Sequence, residues 1–201
     1  MNKPIVLLAT LLLSACVGGV GNSPPAVTYD FGLPAAPLPA ESGWQGLALE
    51  VRAPGWLDST HVDYRLAYAD PLTRRQYAGS RWAGTPATLI AQRLRQQLGA
   101  VSPAANAATA CAMRIELQEF SQVFDAPGAS RGVLSASVSL VDAKRRMLAE
   151  RAVTVAKPAA SADASGGVRA LVEATAELGQ VLSDWLVVLE KDGRIASCRS
   201  S

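Results

Sequence analysis

Cys16 is the residue of this chain best placed to undergo chemistry, because it closes the tetrapeptide Leu13-Ser14-Ala15-Cys16 at the end of a short apolar run. The run, Ile5 to Leu13, follows the single positive charge of Lys3. It is too short to cross a bilayer, which takes about 20 residues. Small residues leading into a cysteine rather than an Ala-x-Ala site resemble a lipobox; the alternative is a plain secretory signal with an incidental cysteine. The expected chemistry is cleavage before Cys16, a thioether-linked diacylglycerol on its sulfur, and a third acyl chain on the new amino terminus. Two or more chains anchor stably where one is marginal. Val17 rather than an aspartate follows the cysteine, so the expected location is the periplasmic face of the outer membrane.

Cys111 and Cys198 are the even remainder, and an oxidising compartment preserves disulfides. A bridge between them is expected; it closes a loop of about 87 residues and contributes roughly 3 to 5 kcal/mol in the chain-entropy picture. The alternative is two separate buried or reactive thiols. Neither cysteine suggests a metal site, since Cys111, Cys198 and His61 lack Cys-x-x-Cys or His-x-x-x-His spacing. His61, the single histidine, follows Ser59-Thr60 with no Gly-x-Ser-x-Gly elbow before or after it. Gly166-Gly167 lacks the lysine and spacing of a phosphate loop. The chain is therefore read as a non-enzyme with no catalytic residue, no metal and no cofactor.

The elements that must position these residues follow from composition and pattern. Cleavage before Cys16 removes Lys3 and leaves 18 basic against 17 acidic side chains. That near balance does not indicate a nucleic-acid partner. Half the residues are apolar (49%) but only 5% are aromatic, which suits one compact core of Ala, Val and Leu. Val17 to Ala40 carries five prolines, four glycines and one charge, Asp30. Such a composition cannot offset its own ordering entropy and reads as a tether of up to about 80 Å when extended. Within it, Tyr29-Asp30-Phe31-Gly32 is a candidate edge strand. The expected division is a signal peptide at 1–15, a lipidated tether at 16–42 and a folded domain at 43–201.

Alternation then marks strands: Leu47, Leu49 and Val51 up to Pro54-Gly55, and Val62 to Tyr68, with Asp63 and Arg65 on the opposite side. Asp70-Pro71 is the expected turn into a returning arm at Arg74 to Ala78. Thr85-Pro86 reads as an N-cap followed by proline at the first helical position, and Leu89, Ile90, Leu94 and Leu98 form one stripe that stops at Gly99. Met113, Ile115 and Leu117 alternate until Phe120 breaks register, which suggests a bulge near Glu119. Leu134, Ala136, Val138 and Leu140 make the next strand, and Met147 to Ala156 pairs back with it. Ser165 to Leu189 carries Val168, Leu171, Thr175, Leu178, Leu182, Trp185 and Leu189 at helical spacing. The expected fold is α+β, a mostly antiparallel sheet of about six strands with two helices on one face.

Between Asp70 and Glu116 there is no acid, while Arg74, Arg75, Arg81, Arg93, Arg95 and Arg114 fall there. This is either a basic face for anionic headgroups or an acidic partner, or a solvated helix and hairpin. Trp56-Leu57 at a turn, with Arg74, Arg75, Arg81 and Trp82, is the candidate partner or lipid contact. For Arg81-Trp82 the competing reading is structural, with Trp82 under the start of the helix.

Asp63-Tyr64-Arg65-Leu66-Ala67-Tyr68, Tyr77-Ala78-Gly79-Ser80-Arg81-Trp82 and the Pro86 to Leu98 helix resemble the auxiliary lipoproteins of ABC-type transporters, the family that includes the paraquat-inducible-operon lipoprotein. Ala53-Pro54-Gly55-Trp56-Leu57-Asp58 fits the same pattern. The resemblance implies a noncatalytic component of an envelope lipid-trafficking system. Its partners would be an MCE-type periplasmic protein, an inner-membrane permease with its ATPase, and outer-membrane phospholipid, with self-association left open. The alternative is a structural lipoprotein that supports the outer membrane without a transporter.

Overall fold

The computed structural model describes residues 25–33, 36–38, 44, 46–103, 109–195 and 198. Cys16, the signal segment and most of the tether lie outside the described residues. Among the described residues, seven strands and two helices follow in the order β1 (Val27–Tyr29), β2 (Leu47–Arg52), β3 (His61–Leu66), β4 (Asp70–Trp82), α1 (Pro86–Leu98), β5 (Cys111–Ala126), β6 (Ala129–Asp142), β7 (Met147–Pro158) and α2 (Ala164–Lys191).

β5 is the spine of the sheet. Along one edge it pairs with β6 over nearly its whole length; its other edge is divided, with β2 beside Cys111–Glu116 and β3 beside Gln122–Phe124. The sheet continues through β4 to β1 on one side and ends at β7 on the other. Among the described strands, three pairings are parallel (β1–β4, β2–β5, β3–β5) and three antiparallel (β3–β4, β5–β6, β6–β7). The fold is therefore α+β with two helices, as expected, and its sheet has seven strands against about six. The long β5–β6 and β6–β7 ladders are antiparallel, but the sheet is mixed, and the three shorter parallel pairings were not foreseen. The reason is physical: alternation reveals which face a side chain takes, and that is the same in parallel and antiparallel ladders. β1, only three residues long, carries too little alternation to be counted with the others.

The register shift in β5 falls between Leu117 and Glu119, at the expected bulge. Before it Cys111, Met113, Ile115 and Leu117 point into the core, and after it Phe120 does. The β3–β4 turn comes at 67–69 rather than at Asp70-Pro71; Asp70 already begins β4, which runs well past the expected Arg74–Ala78. Asp70 instead accepts the Leu72 N–H at 3.0 Å, a local bond that orders the start of the strand.

Both helices lie on one sheet face. α1 begins at Pro86 after Thr85 and ends on Gly99 in the left-handed region (φ 64°), whose N–H reaches the Arg95 carbonyl. α2 starts at Asp163, whose carboxylate accepts the Gly166 N–H at 2.8 Å. Its Leu171, Leu178, Leu182, Leu186 and Leu189 are buried against β5, β6 and β7. Close approach is required where α2 crosses β6, because a Cβ on Gly132 would stand 2.7 Å from the backbone of Ala170 and Leu171. The Cys111–Cys198 disulfide is formed and ties the chain's last described residue to the start of β5.

Candidate functional site

The six expected contact residues separate into core and surface. Leu57 and Trp82 are buried. Trp82 meets the Phe31 ring edge-on at 5.6 Å and Phe120 at 5.6 Å, directly before α1, so its large apolar surface holds the start of the helix to the sheet. Trp56, next to Leu57, is 57% exposed. Pro54 makes this split by accepting the Leu57 and Asp58 N–H groups, a turn that directs one side chain in and its neighbour out.

Trp56 stacks on a charged neighbour. The Arg74 guanidinium lies 4.8 Å from the centre of its ring, a cation–π contact. Arg74 is also held from below: its Nε lies 3.1 Å from Asp63 Oδ2 and its Nη2 is 3.2 Å from Glu119 Oε1. Arg65 donates to the other Glu119 oxygen at 2.9 Å. The result is a chain Asp63–Arg74–Glu119–Arg65 roofed by an indole. It sits on the sheet face opposite the helices, since Gln122 on the helix side abuts Gly167 of α2 and is level with Tyr64, the neighbour of Arg65. Burial pushes the Asp63 carboxyl above its ordinary value, with Arg74 pulling it back. Oδ1 of Asp63 and Nη1 of Arg74 are buried without a hydrogen-bond partner among the described residues.

Sequence alternation placed Asp63 and Arg65 correctly away from Val62 but could not foresee that Asp63 is buried. The sequence carried no signal for this pairing: the acids bordering the arginine-rich stretch are Asp70 and Glu116, whereas Arg74 is paired with Asp63 and Glu119. Arg74 and Arg75 are successive on a strand and point to opposite faces, so the arginines do not form one basic face. Arg93 donates to the Phe31 carbonyl and Arg95 to the Leu49 carbonyl at 3.0 Å. Arg75 and Arg81 are exposed and carry no ion pair among the described residues. His61 lies on the surface 3.4 Å from Ser59 Oγ.

A second polar group lies under the helix side. Tyr77 donates to Gln122 Oε1 at 2.8 Å, and Gln122 donates to Ser130 at 2.7 Å. Burial pushes the Tyr77 hydroxyl up to about 12, so it stays protonated and serves as a hydrogen-bond donor. Among the described residues there is no cluster of three metal-ligating side chains, and no helix is long and apolar enough to cross a membrane. What the face opposite the helices offers is an exposed indole on a fixed guanidinium, with Arg81 also exposed and Arg75 on the other face; exposed Trp and Arg are groups suited to binding.

The chain is a disulfide-tied α+β domain with an exposed indole and arginines on its surface. The chain belongs to the ABC-type transport auxiliary lipoprotein component family, whose model matches residues 31–182. A crystal structure of a Xanthomonas campestris protein of the DUF330 family is similar in fold, with a TM-score of 0.69 and 19% identity, covering 83% of this chain and 98% of that one. An uncharacterized protein of known structure shares the fold at a TM-score of 0.62 and 13% identity, covering 81% and 99%. No curated protein matches the sequence.

Proposed function

We propose that this protein is an accessory of an MCE-type ABC transporter for phospholipids or other hydrophobic compounds. Cys16 anchors it to the periplasmic face of the outer membrane, and its domain meets the transporter's periplasmic component. The family match carries the transporter link. The contact surface adds a physical basis: Trp56 keeps more than half its area in solvent although an apolar core lies next to it at Leu57, and exposed Trp with Arg is the composition of binding hot spots.

The test follows from the ion pairs. Reversing the charge of Arg74 would strand Asp63 and Glu119, so a loss of binding there would report folding. Trp56→Ala and Arg81→Glu leave the core and its ion pairs in place, and Arg81 shares the face of Trp56 because its strand neighbour Trp82 points to the helices. In envelopes treated with a short crosslinker, wild-type protein should capture an MCE-type protein, and these variants should capture several-fold less at unchanged melting temperature. A deletion strain should become sensitive to detergent. An intact barrier together with no transporter component among the crosslinked products would overturn the proposal and leave the structural lipoprotein as the reading.

A further inference from the structure

The two ends of the domain differ in chemistry. One end gathers three connections: the β3–β4 turn, the β5–β6 turn and the β7–α2 loop. Tyr68 N–H reaches the Phe124 carbonyl and Ala159 N–H the Ser130 carbonyl, which brings all three together. Their sequences, Ala67 to Thr73, Asp125 to Ser130 and Pro158 to Asp163, contain no cation. Each contains one acid, and each acid is bound locally: Asp70 by Leu72 N–H and Thr73, Asp125 by Arg131 at 2.9 Å, and Asp163 by Gly166 N–H. The large apolar side chains that stand out of this end are Leu72, 89% exposed, and Tyr68, 47% exposed. They lie beside the exposed Asp70, Thr73 and Asp125, and Arg65 donates to the Pro71 and Leu72 carbonyls at 3.4 Å. The opposite end carries Lys144, Arg145 and Arg146 in the β6–β7 turn, and Arg194, which donates to the Leu148 carbonyl.

The chain's own direction connects the apolar end to the anchor. β1 runs parallel to β4 with Val27 beside Ser80, so the backbone followed back from Val27 heads toward the start of β4, where Leu72 stands. Ser80 lies ten residue steps from Asp70, roughly 33 Å along a strand. The eleven residues 16–26 span roughly 36 Å when extended. The length of chain before β1 therefore suffices to bring Cys16 to the level of the β3–β4 turn. The direction in which the chain leaves β1, rather than its length, points it to this end.

The geometry points to the β3–β4 hairpin tip as a second membrane contact: Leu72 and Tyr68 enter the interfacial layer of the same phospholipid bilayer that holds the Cys16 acyl chains. A leucine and an interface-seeking tyrosine, on a tip whose acids are already hydrogen-bonded, lose little hydration on entering. This rests on the lipid anchoring in the proposed function, not on the transporter link.

The lipidated full chain offers a clean test, because Cys111 and Cys198 are bridged and Cys16 is acylated. Leu72→Cys and, as a control at the other end, Met147→Cys would each be labelled with an environment-sensitive fluorophore. The protein would then be reconstituted in vesicles of phosphatidylethanolamine and phosphatidylglycerol containing nitroxide-labelled lipid. The label at position 72 should shift to the blue and lose most of its emission, while that at 147 should keep it. Protein that floats with the vesicles but shows equal emission at both positions overturns this inference and leaves the anchoring intact. Protein that fails to float overturns both. A 72 label shielded only when a purified periplasmic partner is added assigns the tip to protein docking and overturns the lipid contact.

Discussion

Trp56 and Trp82 show how one residue type takes two roles. Trp82 is 2% exposed and shares a cluster with Phe31 and Phe120, so Trp82→Ala should cost about 3 to 5 kcal/mol. Trp56 contributes chiefly its stacking on Arg74, worth about 1 kcal/mol at an exposed site. Urea denaturation of the two alanine variants should show that contrast; equal losses would mean that Trp56 is part of the fold rather than free to bind. Asp63 gives a second prediction, through pH. Its carboxyl is raised by burial, so the native state keeps this proton to higher pH than the unfolded chain does. Between the two values the native state binds more protons, and stability falls as pH rises. The favourable contribution is complete below the unfolded value and is lost on rising through the folded one. Asp63→Asn removes this dependence, so the variant's urea midpoint should gain on wild type from acid toward neutral pH. Asp142 and Asp163, lowered by hydrogen bonds from backbone N–H groups, act in the opposite sense in both proteins and cancel in the comparison.

At the scale of elements, local patterns were legible and pairings were not. α1 was readable because Pro86 and Gly99 mark both ends, and β6 because Leu134, Ala136, Val138 and Leu140 alternate without a break. The bulge showed itself as the step from Leu117 to Phe120. The parallel alignments of β2 and β3 on the two halves of β5 join segments far apart in sequence, and no short-range pattern encodes them. The candidate contact site was half legible for the same reason. Trp56 was recognisable as an exposed apolar residue at a turn, but the partners of Arg74 lie on β3 and β5. Gly132 provides the element-scale prediction. It sits where α2 crosses β6, and a Cβ there would stand 2.7 Å from helix backbone, which cannot yield as a side chain can. Gly132→Ala should destabilise the domain by about 1 to 3 kcal/mol, whereas Gly128→Ala, in open space at the β5–β6 turn, should leave the melting temperature nearly unchanged. Matching melting temperatures would mean that the helix slides on the sheet more freely than its packing indicates.

For the molecule as a whole, the decisive question is where the tether ends and the domain begins. Composition put that boundary at 43, because prolines and glycines run on to Ala40. In the fold, β1 is already a sheet strand and Phe31 is buried, packed on Trp82 and Phe120 and fixed by Arg93 at its carbonyl. Two aromatics within a proline-rich stretch were the visible sign of this. The consequence is mechanical: a tether that ends at β1 holds the domain within roughly 36 Å of its anchor, instead of the roughly 80 Å that a stretch running on to Ala40 would allow. Under the proposed anchoring at Cys16, a partner would have to come to the membrane surface to meet it. The boundary can be tested with two shortened chains. One beginning at Pro25 retains β1 and Phe31 and should melt as the mature chain does. One beginning at Gly43 loses both and uncovers Trp82 and Phe120; by comparison with removal of a buried phenylalanine it should lose about 3 to 5 kcal/mol and bind a hydrophobic dye. If the chain beginning at Gly43 were as stable as the longer one, the segment around Phe31 would be part of the tether after all, and the long reach would be restored.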